Sequence, residues 1–395
     1  MPIGIKNYYI AIYIISIFAI LWPLLTIFTS LNLQLSSSLP VFIAASILIL
    51  LFSSNLKFKI FNLNTLLLLI SCIFISIVSV VNGNVYDGFR TFKTFGTIIF
   101  FVLILKFYSC NYILLKKYVD FSFKLALAVS FWGLFELVIR FYFPGVGDYY
   151  YQILSAKNFS GVEYLSKGYL DFGAFFEGQK PLGLYGDMHT SPAVALLCIC
   201  YFGIKRDNFL LFLSIISLLL TFRWTLILPL PFLVIAYFLK SNIKNKMFLI
   251  SISLIFLVSA IFISINDYSG KIVFDQLNNF NVLIDVLDGN YFGYGYSGDL
   301  DVNPLIEEIF LYKIFFYFGI FSLFYFLFIS KFFFDIYIKY CNCRMSENFL
   351  FYPFVLIFLI FLPIFGTIHY NHFFNVTILF LYSCLISFCG IFFNE

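Results

Sequence analysis

The sequence predicts an all-α fold, a polytopic membrane helix bundle of about twelve transmembrane helices with two long outer loops. Composition is the first reason. Of 395 residues, 62% are hydrophobic and only 11% charged, with mean hydropathy +0.98. A soluble globular domain averages roughly 25% charged residues, and a water-soluble core could not hide this much apolar surface. The second reason is the recurrence of long, almost uncharged runs, many able to cross a hydrocarbon layer of about 30 Å as a helix. They are apolar on every face, whereas a barrel strand alternates polarity over roughly ten residues. The third is the charge between the runs, which fits one orientation throughout.

The runs place spans at approximately 8–29, 39–53, 64–82, 93–108, 121–141, 190–204, 208–222, 224–239, 247–265, 305–330, 348–368 and 373–393. The first follows Lys6 and contains Trp22 and Pro23, with no small-residue cleavage site after it, and reads as a retained span. With the N-terminus inside, every inner connection is basic: Lys57 and Lys59; Lys106, Lys116 and Lys117; Lys205 and Arg206; Lys240, Lys244 and Lys246; Lys331, Lys339 and Arg344. A missed or invented span would reverse everything after it, so the agreement predicts both termini on the cytoplasmic side. Most acidic residues fall outside, and so do the two long loops, 142–189 and 266–304. Loops of that length are functional or disordered. The first, with Tyr149, Tyr150, Tyr151, Tyr164, Tyr169, Phe172, Phe175 and Phe176, has a composition suited to a folded amphipathic layer on the membrane surface.

No segment is long and polar enough for a soluble domain or linker, and no internal repeat is visible, so residues 1–395 read as a single integral membrane domain. Cys72, Cys198, Cys200, Cys384 and Cys389 lie in apolar runs, while Cys110, Cys341 and Cys343 lie on inner connections, which argues against a disulfide framework. Nothing in the chain calls for a nucleic acid partner.

The informative cations sit at outer span edges: Arg90, Arg140, Lys180 and Arg223, with His189, His369 and His372 at the same level. Lipid would desolvate such groups, so they tend to line a bundle interior or a wet cavity, and anion binding is the natural expectation. Each has a plainer reading. Arg90 can snorkel beside Asp87. Arg140 follows Glu136 by one helical turn and can form an intrahelical ion pair with it. Arg223 lies between two hydrophobic runs with almost no loop, which holds its guanidinium at the bundle rim and favours a functional reading. The stretch Gly178–Pro192 ends the first long loop; Thr190 or Ser191 can cap the following helix with Pro192 near its first turn, and that helix N-terminus beside Lys180 and His189 suits an anion. A capped loop without ligand is the alternative. In the second loop, Gly289–Asp301 reads either as a sugar-stacking rim or as a turn-rich connection, and Glu307 and Glu308 either serve a site or complement the helix dipole. His369 and His372 lack a third ligand, so no metal is expected.

Three pieces of the chain resemble the bacterial O-antigen polymerase (Wzy-type) and O-antigen ligase superfamily. Lys180-Pro-Leu-Gly-Leu-Tyr-Gly-Asp-Met-His189 is similar to the family's basic loop ahead of a small-residue helix, and Thr221-Phe-Arg223 to its Ser-Arg turn. Phe292-Gly-Tyr-Gly-Tyr-Ser, with Glu307 and Gly319 beyond it, is similar to its Gly-x-Gly loop and following helix. Lys180 stands where arginine is commoner, and the Gly-x-Gly loop lacks the His-Asn pair of the ligases, which favours a polymerase over a ligase. The resemblance implies metal-independent glycosyl transfer from an undecaprenyl-diphosphate-linked oligosaccharide at the outer face of the bacterial inner membrane, with no cofactor. Arg223, Arg90 and Arg140 would hold the diphosphate, Lys180 and His372 would assist binding, and His189 or His369 would take the acceptor proton, with Glu307 or Asp187 as alternatives. A chain-length regulator is a further partner the resemblance leaves open. A lipid-linked oligosaccharide flippase is the competing class, and it should show paired repeats and charged broken helices at the bilayer midplane. A structural or assembly protein is the third, for which the outer cations would be individually dispensable.

Overall fold

The computed structural model describes residues 3–28, 63–89, 91–92, 112–156, 183–185, 190–221, 291–295, 315–324, 327 and 375–392. Among these every regular element is helical and none is a strand. The helices are α1 (Ile3–Phe28), α2 (Leu63–Asn82), α3 (Tyr112–Ser130), α4 (Trp132–Tyr142), α5 (Pro144–Ala156), α6 (Thr190–Lys205), α7 (Asn208–Leu219) and α8 (Val376–Phe392). They coincide with the expected first, third, fifth, sixth, seventh and twelfth spans. The expected second, fourth, eighth, ninth and eleventh spans lie outside the described residues.

Two boundaries differ from expectation. The fifth span was placed at 121–141, but its helix begins at Tyr112 and includes Lys116, Lys117 and Asp120. Those charges do not interrupt it because Lys116 and Lys117, in its first half, are exposed and Asp120, at its middle, is paired with Lys124 and Lys205. The helical run Lys116–Ile139 is the one stretch among the described residues that is both long and apolar enough to cross a membrane. The second difference is α5, a helix within what reads in sequence as the start of an outer loop.

Contacts between named residues set the helix directions. Asp120, in the middle of α3, pairs with Lys205 at the end of α6 and with Lys124 at 2.8 Å, and accepts from the Tyr201 hydroxyl at 3.2 Å. Ser130, at the end of α3, accepts from Ser217 near the end of α7 at 2.8 Å. Trp22, near the end of α1, donates to Thr377 at the start of α8 at 3.2 Å. Thus α1, α3 and α7 run one way and α6 and α8 the other, as the alternation of charged connections requires. Lys116, Lys117, Lys205 and Arg206 share one end, here called the basic end; the opposite one is the loop end. The α6–α7 hairpin closes at the basic end through Arg206, whose φ is +60°, and Asp207, whose carboxylate caps Leu210 N–H at 3.2 Å.

Apolar side chains fill the core and also cover exposed faces. Ile10, Ile14 and Ile17 on α1, and Leu66, Ile70, Ile73, Ile77 and Val80 on α2, are exposed along single helical faces. The buried faces carry hydroxyls that bond across helices, such as Ser16 to Ser122 at 2.8 Å. Exposed apolar stripes are compatible with a bilayer, which gives helices no hydrophobic drive to associate and leaves interhelical hydrogen bonds and close packing as the attraction. Cys72, Cys198, Cys200 and Cys384 are buried free thiols within it. The Ser130–Ser217 pair gives a direct test: a double-mutant cycle with Ser130→Ala and Ser217→Ala, measured by denaturant unfolding in detergent, is expected to show coupling of about 0.6 kcal/mol.

Candidate functional site

Two clusters lie beyond the helical core, each built by loop backbone inserted among helices. The first is at the loop end of the bundle. There the turn Gly183–Tyr185 is buried, with Leu184 at 1% and Tyr185 at 3% exposure. The Tyr185 hydroxyl donates to the Ile20 carbonyl at 3.3 Å, and its ring lies 6.5 Å from that of Trp22. Burial holds this phenol well above its ordinary pKa, so it stays protonated and remains a donor. Gly183 faces Ser191 so closely that no side chain fits between them. The stretch reading in sequence as a surface connection is therefore partly an internal wedge, between α1 and the start of α6.

The same end gathers the starts of α6 and α8. Asn375 donates through Nδ2 to Thr190 Oγ1 at 2.9 Å and accepts through Oδ1 from Thr377 N–H at 3.0 Å and Ile378 N–H at 3.3 Å. One amide thus caps α8 and ties it to α6. Thr190 is the first helical residue of α6 rather than its cap, and Ser191 and Pro192 follow it inside the first turn. Pro192 fits because the early N–H groups of a helix have no intrahelical partner to lose. Two helix N-termini side by side put partial positive charge at the loop end.

Glu136 on α4 is fully buried. Its Oε1 accepts from the Tyr150 hydroxyl on α5 at 3.1 Å, and its Oε2 from the Gly183 N–H at 3.2 Å. Trp132 Nε1 donates to the same Tyr150 oxygen at 2.9 Å. Sequence reasoning treated Glu136 only as a neighbour of Arg140. The signal available was its type and place: a carboxylate on an otherwise apolar helix.

The second cluster joins α2 to the Gly-x-Gly loop. Tyr294 N–H donates to the Phe316 carbonyl at 3.0 Å and Gly295 N–H to the Tyr317 carbonyl at 3.2 Å, while Ile320 N–H donates to the Tyr291 carbonyl at 2.8 Å. The loop strand thus fills a break in the helical stretch 315–324, which tightens to a 3-10 turn at Gly319–Phe321. Asn82, at the end of α2, donates to the Tyr294 carbonyl at 2.7 Å, and Ser79 bonds Thr91 at 2.9 Å. Tyr294 stacks on Phe316 at 4.6 Å, while Tyr291 and Phe292 are exposed. Asp87, beside the expected Arg90, is buried.

Of the expected site residues, Arg140 falls within helical backbone, one turn after Glu136 on α4; its side chain lies outside the described residues. Arg90, Lys180, Asp187, His189, Arg223, Glu307, His369 and His372 also lie outside them. Several chain neighbours do not. Gly183–Tyr185 stands between Lys180 and Asp187, Thr190 follows His189, Asn375 comes three residues after His372, and Thr221 comes two before Arg223. All of these described neighbours belong to the loop end. Among the described residues no three His, Cys, Asp or Glu side chains form a metal-binding group.

What these residues define is an all-helical bundle containing a helix able to cross a membrane, with polar loop structure packed into one end. Compared with known protein families, with curated proteins and with solved structures, the chain matches none.

Proposed function

We propose that the chain is a polymerase of undecaprenyl-diphosphate-linked oligosaccharide repeat units, multi-pass in the bacterial inner membrane, with its active site at the outer face. The observation that carries the reading is the convergence at one bundle end of the segments beside the candidate cations: α4, the Gly183–Tyr185 turn, Thr190 with Asn375, and Thr221. Two helix N-termini meet there, so an anion at that end would be favoured even before any side chain contributes. The loop end is opposite the end collecting Lys116, Lys117, Lys205 and Arg206, which the positive-inside rule assigns to the cytoplasm.

The chemistry asks little beyond what such a site supplies. An acceptor sugar hydroxyl attacks the anomeric carbon of the donor glycan; the new C–O bond forms as the bond to the diphosphate breaks. The hydroxyl proton passes to a base, His189 or His369, with Glu307 or Asp187 as alternatives. Negative charge grows on the departing lipid diphosphate, where Arg223, Arg90 and Arg140 stabilise it through paired N–H donors. Lys180 and His372 hold the same anion.

Reconstitution tests this directly. The purified chain in liposomes, given a synthetic undecaprenyl-diphosphate repeat unit and no added metal, is expected to release undecaprenyl diphosphate and produce a ladder of lengthening glycans on gels. Movement of the lipid across the bilayer with no new glycosidic bond would overturn the proposal in favour of a transporter. Transfer only to a different acceptor, with no ladder, would replace polymerase by ligase.

A further inference from the structure

The geometry points to Glu136 as the positioning residue of the long outer loop, one carboxylate holding both of its ends. Tyr150 lies on α5, the helix that opens the loop; Gly183 lies in the turn that comes shortly before its close. The Glu136 oxygens accept from one each, at 3.1 and 3.2 Å. Trp132 fixes the direction of the first bond, because its Nε1 already donates to the Tyr150 oxygen, leaving the phenol proton for Glu136. Burying a carboxylate is costly unless its lone pairs are satisfied, so the arrangement is not neutral filling of a gap.

Glutamate suits this place for a reason of donor count. Tyr150 and Gly183 both donate here, and a carboxylate offers an acceptor oxygen to each. A glutamine of the same shape offers one oxygen and one NH2. Whichever way its amide turns, either the Gly183 N–H faces another N–H or the Tyr150 proton loses its acceptor. Asp120 shows the contrast, since its ion-pair partners are partly exposed ammonium groups, Lys124 on its own helix and Lys205 on α6, and neither belongs to a loop.

Anchoring α5 and the Gly183–Tyr185 turn to one turn of α4 fixes both relative to the helix that carries Arg140. Its catalytic consequence rests on the polymerase reading; the clasp itself does not. In the proposed reaction Glu136 touches neither sugar nor diphosphate, and acts by holding the Gly183–Tyr185 turn, which stands between Lys180 and Asp187 in the chain.

Hydrogen exchange on the full chain in lipid nanodiscs tests the clasp without reference to activity. Glu136→Gln is expected to speed exchange about tenfold both in 144–156 and in 183–185, the effect of losing hydrogen bonds to a charged group. Tyr150→Phe is the milder variant. It frees α5 and, by removing the donor that orients the carboxylate, speeds exchange at 183–185 by about two- to threefold. Unchanged exchange at 183–185 in Glu136→Gln overturns the clasp, and if that variant does not fold, unchanged exchange there in Tyr150→Phe does so. In the liposome assay Glu136→Gln should raise the half-saturating donor concentration about tenfold with kcat altered less than about threefold. A fall in kcat alone, the mark of a smaller folded fraction, would overturn the positioning role. If the wild-type chain forms no polymer, the reaction assigned above fails, and the exchange measurements still decide the clasp.

Discussion

Gly319→Ala is expected to cost roughly 2–5 kcal/mol and to leave little folded protein, a large share of the 5–15 kcal/mol that holds a typical domain together. Gly319 has φ +51°, and Gly293 opposite it has φ +81°. At Gly319 a methyl group would meet the Tyr291 carbonyl oxygen and the Gly293 nitrogen; at Gly293 it would meet the Tyr317 carbonyl and the Gly319 nitrogen. These are backbone atoms, so no side chain can rotate aside to relieve the contact. All four atoms also belong to stretches fixed by the bonds from Tyr294, Gly295 and Ile320. Separating the strands to admit a methyl group breaks those bonds and orphans the Phe316 and Tyr317 carbonyls at the helix break. Gly145 in α5 is the control: nothing stands within 4 Å of a Cβ there, and alanine should stabilise the helix slightly. The readouts are the monodisperse fraction in size-exclusion chromatography and the thermal midpoint in detergent. A Gly319→Ala protein that matches Gly145→Ala in both would remove the interlock from the account of this fold.

The helices were legible because their signal is long and repeated. Long apolar runs marked α1, α2, α6, α7 and α8 to within a few residues, and the Lys205–Arg206–Asp207 turn fell where charge interrupts two such runs. Alternation of charge also implied their relative directions, which Asp120–Lys205 and Trp22–Thr377 exhibit. What periodicity does not encode is which serine meets which. Ser16 and Ser122, or Ser130 and Ser217, are far apart in sequence, and each hydroxyl alone reads as a tolerated polar residue in an apolar helix. Loop structure was hidden for a related reason. Tyr185 looks like one more aromatic of a surface segment until its hydroxyl finds the Ile20 carbonyl. Glu136 carried a local explanation, the i, i+4 arginine, that drew attention from its long-range partners Tyr150 and Gly183. The Gly293-x-Gly295 loop and Gly319 are likewise distant in sequence, and only the backbone bonds between their stretches show that they meet.

Arg223→Ala is expected to lower the polymerisation rate by about 10²–10³-fold while the protein remains inserted and folded, the range seen when one preorganised donor to a developing negative charge is removed. Arg223 follows α7 by four residues, and the turn at Leu220–Thr221 that leads to it is anchored: Thr221 donates to the Leu218 carbonyl at 2.7 Å, and Ser217 one turn back is held by Ser130. A donor reached from a fixed helix end loses less freedom on binding an anion than one in a free chain, which is where preorganisation gains its effect. Arg223→Lys separates charge from geometry. Lysine keeps the positive charge but offers a point donor in place of a planar fork, so a diphosphate held by two parallel N–H contacts should lose part of its stabilisation and the rate should fall by an intermediate factor, on the order of tenfold. Because the charge develops as the leaving group departs, both variants should reduce kcat at saturating donor more than they raise the half-saturating concentration. That pattern is the opposite of the one expected for Glu136→Gln, and measuring the two side by side separates a residue that meets the diphosphate from one that only sets the loop. A normal glycan ladder from the Arg223→Ala protein would leave the proposed chemistry without its main stabilising group.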